Sequence, residues 1–168
     1  MFQTVRQFIK SDAPTKSQAS LSLRFVFALA FWGQLGVVAL LWLGSLVFVE
    51  RLEHPLPFMG EALIGLAALQ LFIALFVGRI MAYTSINAKN VPENVREGKG
   101  GALSAVIAQG VILSTPAWFA LFAWLVGSEP RTLFILLVLL GLYYLLGFLF
   151  AGSYTQMALS SQKKQVES

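Results

Sequence analysis

Residues 132–154 read TLFILLVLLGLYYLLGFLFAGSY, 23 consecutive positions without a single Asp, Glu, Lys, Arg or His. A helix rising about 1.5 Å per residue needs about 20 such residues to cross the roughly 30 Å hydrocarbon core of a bilayer. The stretch is therefore read as a transmembrane span. Immediately before it stand Ser128, Glu129, Pro130 and Arg131, and before those a second apolar run, ALSAVIAQGVILSTPAWFALFAWLVG, at residues 102–127. Four residues are too few to separate two helices, so the two runs must form a tight antiparallel hairpin. Further toward the N-terminus, Phe25 to Val49 and Ala62 to Tyr83 meet the same length and apolarity requirement. The fold class that follows is an all-α integral membrane protein, a four-transmembrane-helix bundle with spans at 25–49, 62–83, 102–127 and 132–154.

Composition agrees. Of 168 residues, 57% are apolar and 12% charged, against about 25% charged in an ordinary soluble domain. Mean hydropathy is +0.74. The absence of cysteine excludes disulfides, thiol redox chemistry, cysteine nucleophiles and thiolate metal sites. The single histidine, His54, lies beside Pro55 in a loop, and no carboxylate falls inside an apolar run. No metal site and no cofactor is expected from such a donor set. The first run is 25 residues long, its charged flank reaches Arg24, and no small-x-small cleavage pattern closes it. It reads as a retained anchor rather than a signal peptide.

Lysine and arginine set the orientation. One side collects Arg6, Lys10, Lys16, Arg24, Arg79, Lys89, Arg96, Lys99, Lys163 and Lys164, ten residues, while the other has only Arg51 and Arg131. Both termini and the Thr84 to Gly101 connector are thus expected in the cytoplasm, with the Glu50 to Glu61 loop and the 128–131 turn outside. Acidic residues divide four and four, so the asymmetry accounts for the net charge of +4 without any nucleic-acid partner. Within residues 1–24, Phe2, Val5, Phe8 and Ile9 alternate with Arg6 and Lys10 as in a short amphipathic helix on the inner leaflet. Ser11 to Ser22 reads as a flexible tether, and residues 155–168 as a cytoplasmic tail.

Inside the runs the polar residues are few. Arg79 sits about one turn from the inner end, where its side chain can snorkel to the interface. Gln34, Gln70 and Gln109 occupy one span each, and Tyr143-Tyr144 the fourth. At helical spacing Gln70 shares a face with Ala67 and Ala74, and Gln109 with Ala105, Ile112, Pro116 and Ala123. Lipid cannot satisfy an amide, so Gln34, Gln70, Gln109 and Tyr144 are expected to form an inward-facing polar layer. Its plainest role is interhelical adhesion; its functional role would be a neutral pathway, without proton coupling because glutamine does not titrate. Small residues, including Gly33, Gly36, Gly65, Gly141, Gly147 and the Ala74-x-x-x-Gly78 pair, permit close helix approach within the bundle or against another subunit. Pro116, preceded by Ser114 and Thr115, should kink the third span while those hydroxyls repair its hydrogen-bond ladder.

The connector Asn87 to Gly101 is the most distinctive polar segment. Its glycines lack the preceding strand and the lysine-hydroxyl pair of a phosphate-binding loop. Lys89, Glu93, Arg96, Glu97 and Lys99 are the candidate docking residues, for a protein partner or for anionic lipid. With no carboxylate pair, histidine or cysteine in the runs to act as acid, base or nucleophile, the chain reads as non-enzymatic. The function expected is an accessory, assembly or scaffold subunit of a complex in a bacterial cytoplasmic membrane. Its expected partners are membrane lipids and either a membrane protein or a second copy. The alternative is a small oligomeric transporter or channel with the glutamines along its pathway.

The cysteine-free chain allows a direct check of orientation. Cysteines introduced at Lys99 or Ser168 are expected to react with an impermeant thiol reagent only from the cytoplasmic side, and one at Glu53 only from outside. External labelling at Lys99 would reverse the orientation.

Overall fold

The computed structural model describes residues 2–10, 15–48, 58–87, 95–155 and 159, with the side chains at 10, 48, 78, 79, 81–87 and 95–100 outside that description. The elements are α1 (Phe2–Lys10), α2 (Lys16–Phe48), α3 (Met59–Asn87), α4 (Val95–Leu113), α5 (Thr115–Leu125) and α6 (Pro130–Ala151), which ends in a 3-10 turn at Gly152–Tyr154. Among the described residues there is no strand. Four helical stretches, the third made of α4 and α5 together, are long and apolar enough to cross a membrane. The protein is thus a four-helix membrane bundle preceded by a short N-terminal helix.

The helices outrun the apolar runs. α2 begins at Lys16 rather than near Phe25, so the second half of the stretch expected as a tether is helical, with Ala19 and Ser22 buried. A Thr15 hydroxyl accepts the Gln18 backbone N–H at 3.3 Å and the Gln18 side chain accepts the Thr15 N–H at 3.3 Å, the reciprocal arrangement of a capping box. That local signal starts the helix in polar sequence. α4 likewise begins at Val95, inside the stretch expected as a connector. α1 forms as expected, but its Phe2 ring meets Phe25 edge-on at 5.2 Å and Phe8 is buried in the main core. With Lys10 and Lys16 separated by so few residues, α1 runs back along the first turns of α2, and part of its apolar face is used in protein packing.

The third span is central. In it 44% of the most apolar window is buried, against 17% in each of the other three. α4 packs on α2 and α3, and α5 lies in the hairpin with α6. The buried positions of α6, Thr132, Leu136, Leu140, Tyr143, Gly147 and Ala151, follow one stripe at steps of three and four. Against this stripe and α4, α2 lays Leu23, Phe27 and Phe31, all buried.

Two glycines permit the closest approaches. A Cβ on Gly147 would collide with the Phe27 ring, lying 2.6 Å from its Cε2, and would come 2.7 Å from Leu113 Cδ1. A Cβ on Gly110 would lie 3.2 Å from the Phe27 carbonyl oxygen and 3.1 Å from Ala30 Cβ. Phe27 is therefore seated between α4 and α6 in space that only glycine leaves open.

The span is interrupted where the sequence predicts. Pro116 has no N–H for the Ile112 carbonyl, and the Thr115 hydroxyl donates to that oxygen at 2.8 Å instead. Ser114 donates to the Val111 carbonyl at 2.8 Å, and Ala117 N–H shifts to Ser114 O at 3.0 Å. α5 then ends in a Schellman motif: Ser128 N–H reaches Ala123 O at 2.9 Å, Gly127 N–H reaches Trp124 O at 3.2 Å, and Gly127 has φ 71°. Pro130 follows as the first residue of α6, so the hairpin is closed by local chemistry alone.

Gly147→Ala is expected to destabilise the bundle by about 1–3 kcal/mol, because the ring it displaces is already confined. Gly141→Ala, where nothing lies within 4 Å of the added carbon, should instead raise stability by about 0.5–1 kcal/mol. Thermal unfolding of the two variants in one detergent compares them directly.

Candidate functional site

The polar side chains of the spans lie at different places on the helices. Gln109 is buried on the face of α4 that carries Ala102, Ala105, Val106 and Leu113. Gln70 is half-buried on the face of α3 between buried Ala67 and Ala74, and Gln34 is half-buried between Phe31 and Val38 on α2. Gln70 and Gln109 both lie on helix faces that carry buried neighbours. Among the described residues, however, no hydrogen bond joins any two of these glutamines, and the Oε1 atoms of Gln70 and Gln109 are buried without a partner. A buried amide oxygen with no donor destabilises by about 1–3 kcal/mol. The glutamines therefore do not act as mutual adhesive in this arrangement.

The interhelical hydrogen bond comes from the neighbouring tyrosine. Tyr143, 1% exposed, donates its hydroxyl to the Ala67 carbonyl oxygen at 2.6 Å, linking α6 to α3 across the bundle. Tyr144 points into an aromatic cluster instead, with ring centroids 5.2 Å from Phe31, 5.5 Å from Trp32, 6.1 Å from Phe27 and 6.0 Å from Phe148. Periodicity holds the signal that separates them. Tyr143 falls on the stripe of Thr132, Leu136, Gly147 and Ala151, where small and polar side chains recur, whereas Tyr144 is one position off it.

At the end of the bundle nearest the N-terminal helix, Arg24 lies over Phe148, its guanidinium carbon 5.4 Å from the ring centroid. Sequence alone places Arg24 in a charge count; its contact with α6 depends on the α2–α6 packing. At the other end, a groove of about 290 Å³ runs between α2, α5 and α6, lined among others by Leu35, Val38, Trp42, Leu121, Trp124 and Leu137. Trp42 and Trp124 meet edge to face with centroids 6.0 Å apart. Neither a glutamine nor a titratable group lines this groove.

Of the candidate docking residues, Lys89 and Glu93 lie outside the described residues. Arg96, Glu97 and Lys99 fall on the first turns of α4, with side chains outside the description, as is that of Arg79. Pro116 is the second residue of α5, next to the break from α4. Among the described residues no three His, Asp or Glu side chains gather into a set able to hold a metal ion.

Fold and site together define a multi-pass, all-helical membrane protein whose interior, among the described residues, is packed with aromatic rings and carries the Tyr143 hydrogen bond between α6 and α3. No family model matches the chain, nor does any curated protein or solved structure.

Tyr143→Phe is expected to lose about 0.6 kcal/mol and at most about 1.7, the average and upper limit for interhelical hydrogen bonds in membranes. Gln109→Leu should leave stability unchanged or raise it, because it removes an unpartnered oxygen, and Gln70→Leu should shift it by about 1 kcal/mol or less. Unfolding midpoints in detergent give the order; a large loss at Gln109 would mean that a bound donor satisfies its oxygen.

Proposed function

We propose that this chain is a non-enzymatic accessory, assembly or scaffold subunit of a membrane complex, seated in a bacterial cytoplasmic membrane with both termini inside. The observation that carries the reading is a set of small residues the bundle leaves unused. At Gly33, Gly36 and Gly44 on α2 an added Cβ would meet nothing within 4 Å, and Gly33 and Gly36 are exposed beside Trp32, Val37 and Leu40. Glycine weakens an isolated helix by about 1 kcal/mol relative to alanine. Exposed to lipid, it contributes no packing within its own chain; against another helix it allows backbone contact. The partner is then a second membrane protein or a second copy of this chain. The basic turns around Arg96 and Lys99 offer a further contact on the cytoplasmic side.

The non-enzymatic part of the proposal rests on the chemistry of the spans. Glutamine, tyrosine and serine are present there, but no acid, histidine or lysine that would carry a proton or form a covalent intermediate. One observation favours the alternative of a small oligomeric transporter or channel: the sealed, unpartnered oxygens of Gln70 and Gln109, which a passing neutral donor would satisfy. Solute flux through vesicles containing the purified chain, lost in Gln109→Leu, is the outcome that favours that reading.

Gly36→Leu is expected to reduce recovery of the partner in mild detergent, read by native mass, while leaving the chain's own unfolding midpoint unchanged or raised by up to about 1 kcal/mol. Arg96→Glu should also reduce recovery and leave insertion intact. If neither variant alters the mass of the recovered assembly, the scaffold reading fails.

A further inference from the structure

Arg24 closes the polar first turns of α2, one residue before the apolar run that begins at Phe25. Its side chain crosses to the end of α6 and lies over the Phe148 ring at 5.4 Å. Next to that ring is Gly152, where an added Cβ would come 3.1 Å from one terminal guanidinium nitrogen, 3.2 Å from Nε and 3.4 Å from the Ser20 hydroxyl. Gly152 has φ −66°, an ordinary helical value, so its backbone would accept any residue. What glycine provides at 152 is room for the guanidinium. Arg24, Ser20, Phe148 and the bare backbone at Gly152 thus form a cradle made from two helices.

Among the described residues the cation in this cradle has no acceptor. Its Nε is buried without a hydrogen-bond partner, although Arg24 as a whole is only half-buried and remains reachable. The nearby helix-end carbonyls already accept hydroxyls: Phe150 O from Ser153 at 2.6 Å and Gly152 O from Thr155 at 2.6 Å. The acids whose side chains are described, Glu61 and Glu129, belong to the opposite end of the bundle. A desolvated guanidinium nitrogen without an acceptor favours binding of an anion from outside the chain. Its planar fork of N–H donors matches the oxygens of a phosphate. The ring of Phe148 fixes the plane of that fork, and Ser20, one helical turn before Arg24, adds a hydroxyl on the same face.

We propose that Arg24, Ser20 and the α6 terminus at Gly152 form a binding site for a phosphate group, and that its source is the phosphodiester of an anionic phospholipid. The depth fits, since the residue that begins an apolar run lies at the level where headgroups meet hydrocarbon. The surroundings fit as well: Leu149 and Phe150, exposed on α6 beside the cradle, lie where acyl chains would continue. This site is independent of the scaffold reading and of the candidate docking residues on α4.

The full chain, purified in a mild detergent, is titrated with phosphatidylglycerol, with phosphatidylcholine and with inorganic phosphate. Lipid retention is read by native mass and stabilisation by thermal unfolding. Phosphatidylglycerol is expected to bind about tenfold or more tightly than phosphatidylcholine, whose phosphodiester carries the same charge but has a quaternary ammonium beside it that opposes the guanidinium. Arg24→Gln should abolish that preference. Gly152→Leu, which keeps the charge and fills the space the guanidinium occupies, should weaken it, so the test survives if Arg24→Gln fails to fold. Competition by millimolar inorganic phosphate would assign the site to a free anion; no competition assigns it to the lipid. Equal retention of phosphatidylglycerol by the unaltered chain and by either variant would overturn the site.

Discussion

Phe27 stands where a side chain at Gly147 would have to be, and the bundle is arranged around that exclusion. Lipid tails are as apolar as leucine, so no hydrophobic force drives one span against another, and helices associate through shape and a few hydrogen bonds. At this level the shape is specific. The ring fills the gap between α4 and α6, its own carbonyl lies against Gly110, and Leu113 approaches the same space from the third span. Tyr144 then stacks on Phe27 and packs at a tilt against Phe31, while its neighbour Tyr143 turns inward to the Ala67 carbonyl. Two adjacent tyrosines on one helix therefore hold two different partners, α2 by ring packing and α3 by a hydrogen bond. Moving α6 by one position would exchange the two and break both.

Backbone satisfaction imposes the second constraint, because a free carbonyl in hydrocarbon destabilises by several kcal/mol. The third span meets it locally at both of its irregularities. Thr115 supplies the donor that Pro116 lacks, and Gly127 allows the reversed turn in which Ser128 and Gly127 cap the carbonyls of Ala123 and Trp124. Since no other helix is needed to satisfy these groups, α5 and α6 can close as a hairpin before the rest of the bundle assembles. The same independence explains why the interruption and the hairpin are both readable from residues 114–131 alone.

What was legible in the sequence follows that division between local and long-range causes. The four spans, the hairpin and the break at Pro116 each arise from a short stretch acting on its own backbone, so composition and spacing suffice. The start of α2 at Lys16 was obscured because Ser, Thr and Gln are common in loops; the deciding feature was the reciprocal pairing of Thr15 with Gln18. The polar layer was only partly legible. Inward faces for Gln70 and Gln109 follow from helical periodicity, but whether two amides meet depends on the relative depth of two helices, which no local pattern encodes. Tyr143 could have been separated from Tyr144 by the stripe of Thr132, Gly147 and Ala151. The Arg24 contact could not, since it needs the ends of α2 and α6 to coincide.

Glycine use provides a criterion that applies across the membrane domain. Where a glycine's missing Cβ is replaced by a neighbour's atoms, as at Gly110 and Gly147 against Phe27 or at Gly60 against Thr132, the fold itself explains the residue. At Gly152 the space is taken by a charged side chain from another helix, so the explanation passes through Arg24 and whatever neutralises it. At Gly33, Gly36 and Gly44 the space is empty, and the helix carries the conformational burden of glycine with no return inside the chain. Lipid offers no compensation either, because a methyl group is as soluble in it as the backbone surface it would cover. On the scaffold proposal the gain comes from something that packs more closely than acyl chains do, which in a membrane is another helix. The small residues of this one chain thus divide by their surroundings into those that build the bundle and those that look outward from it.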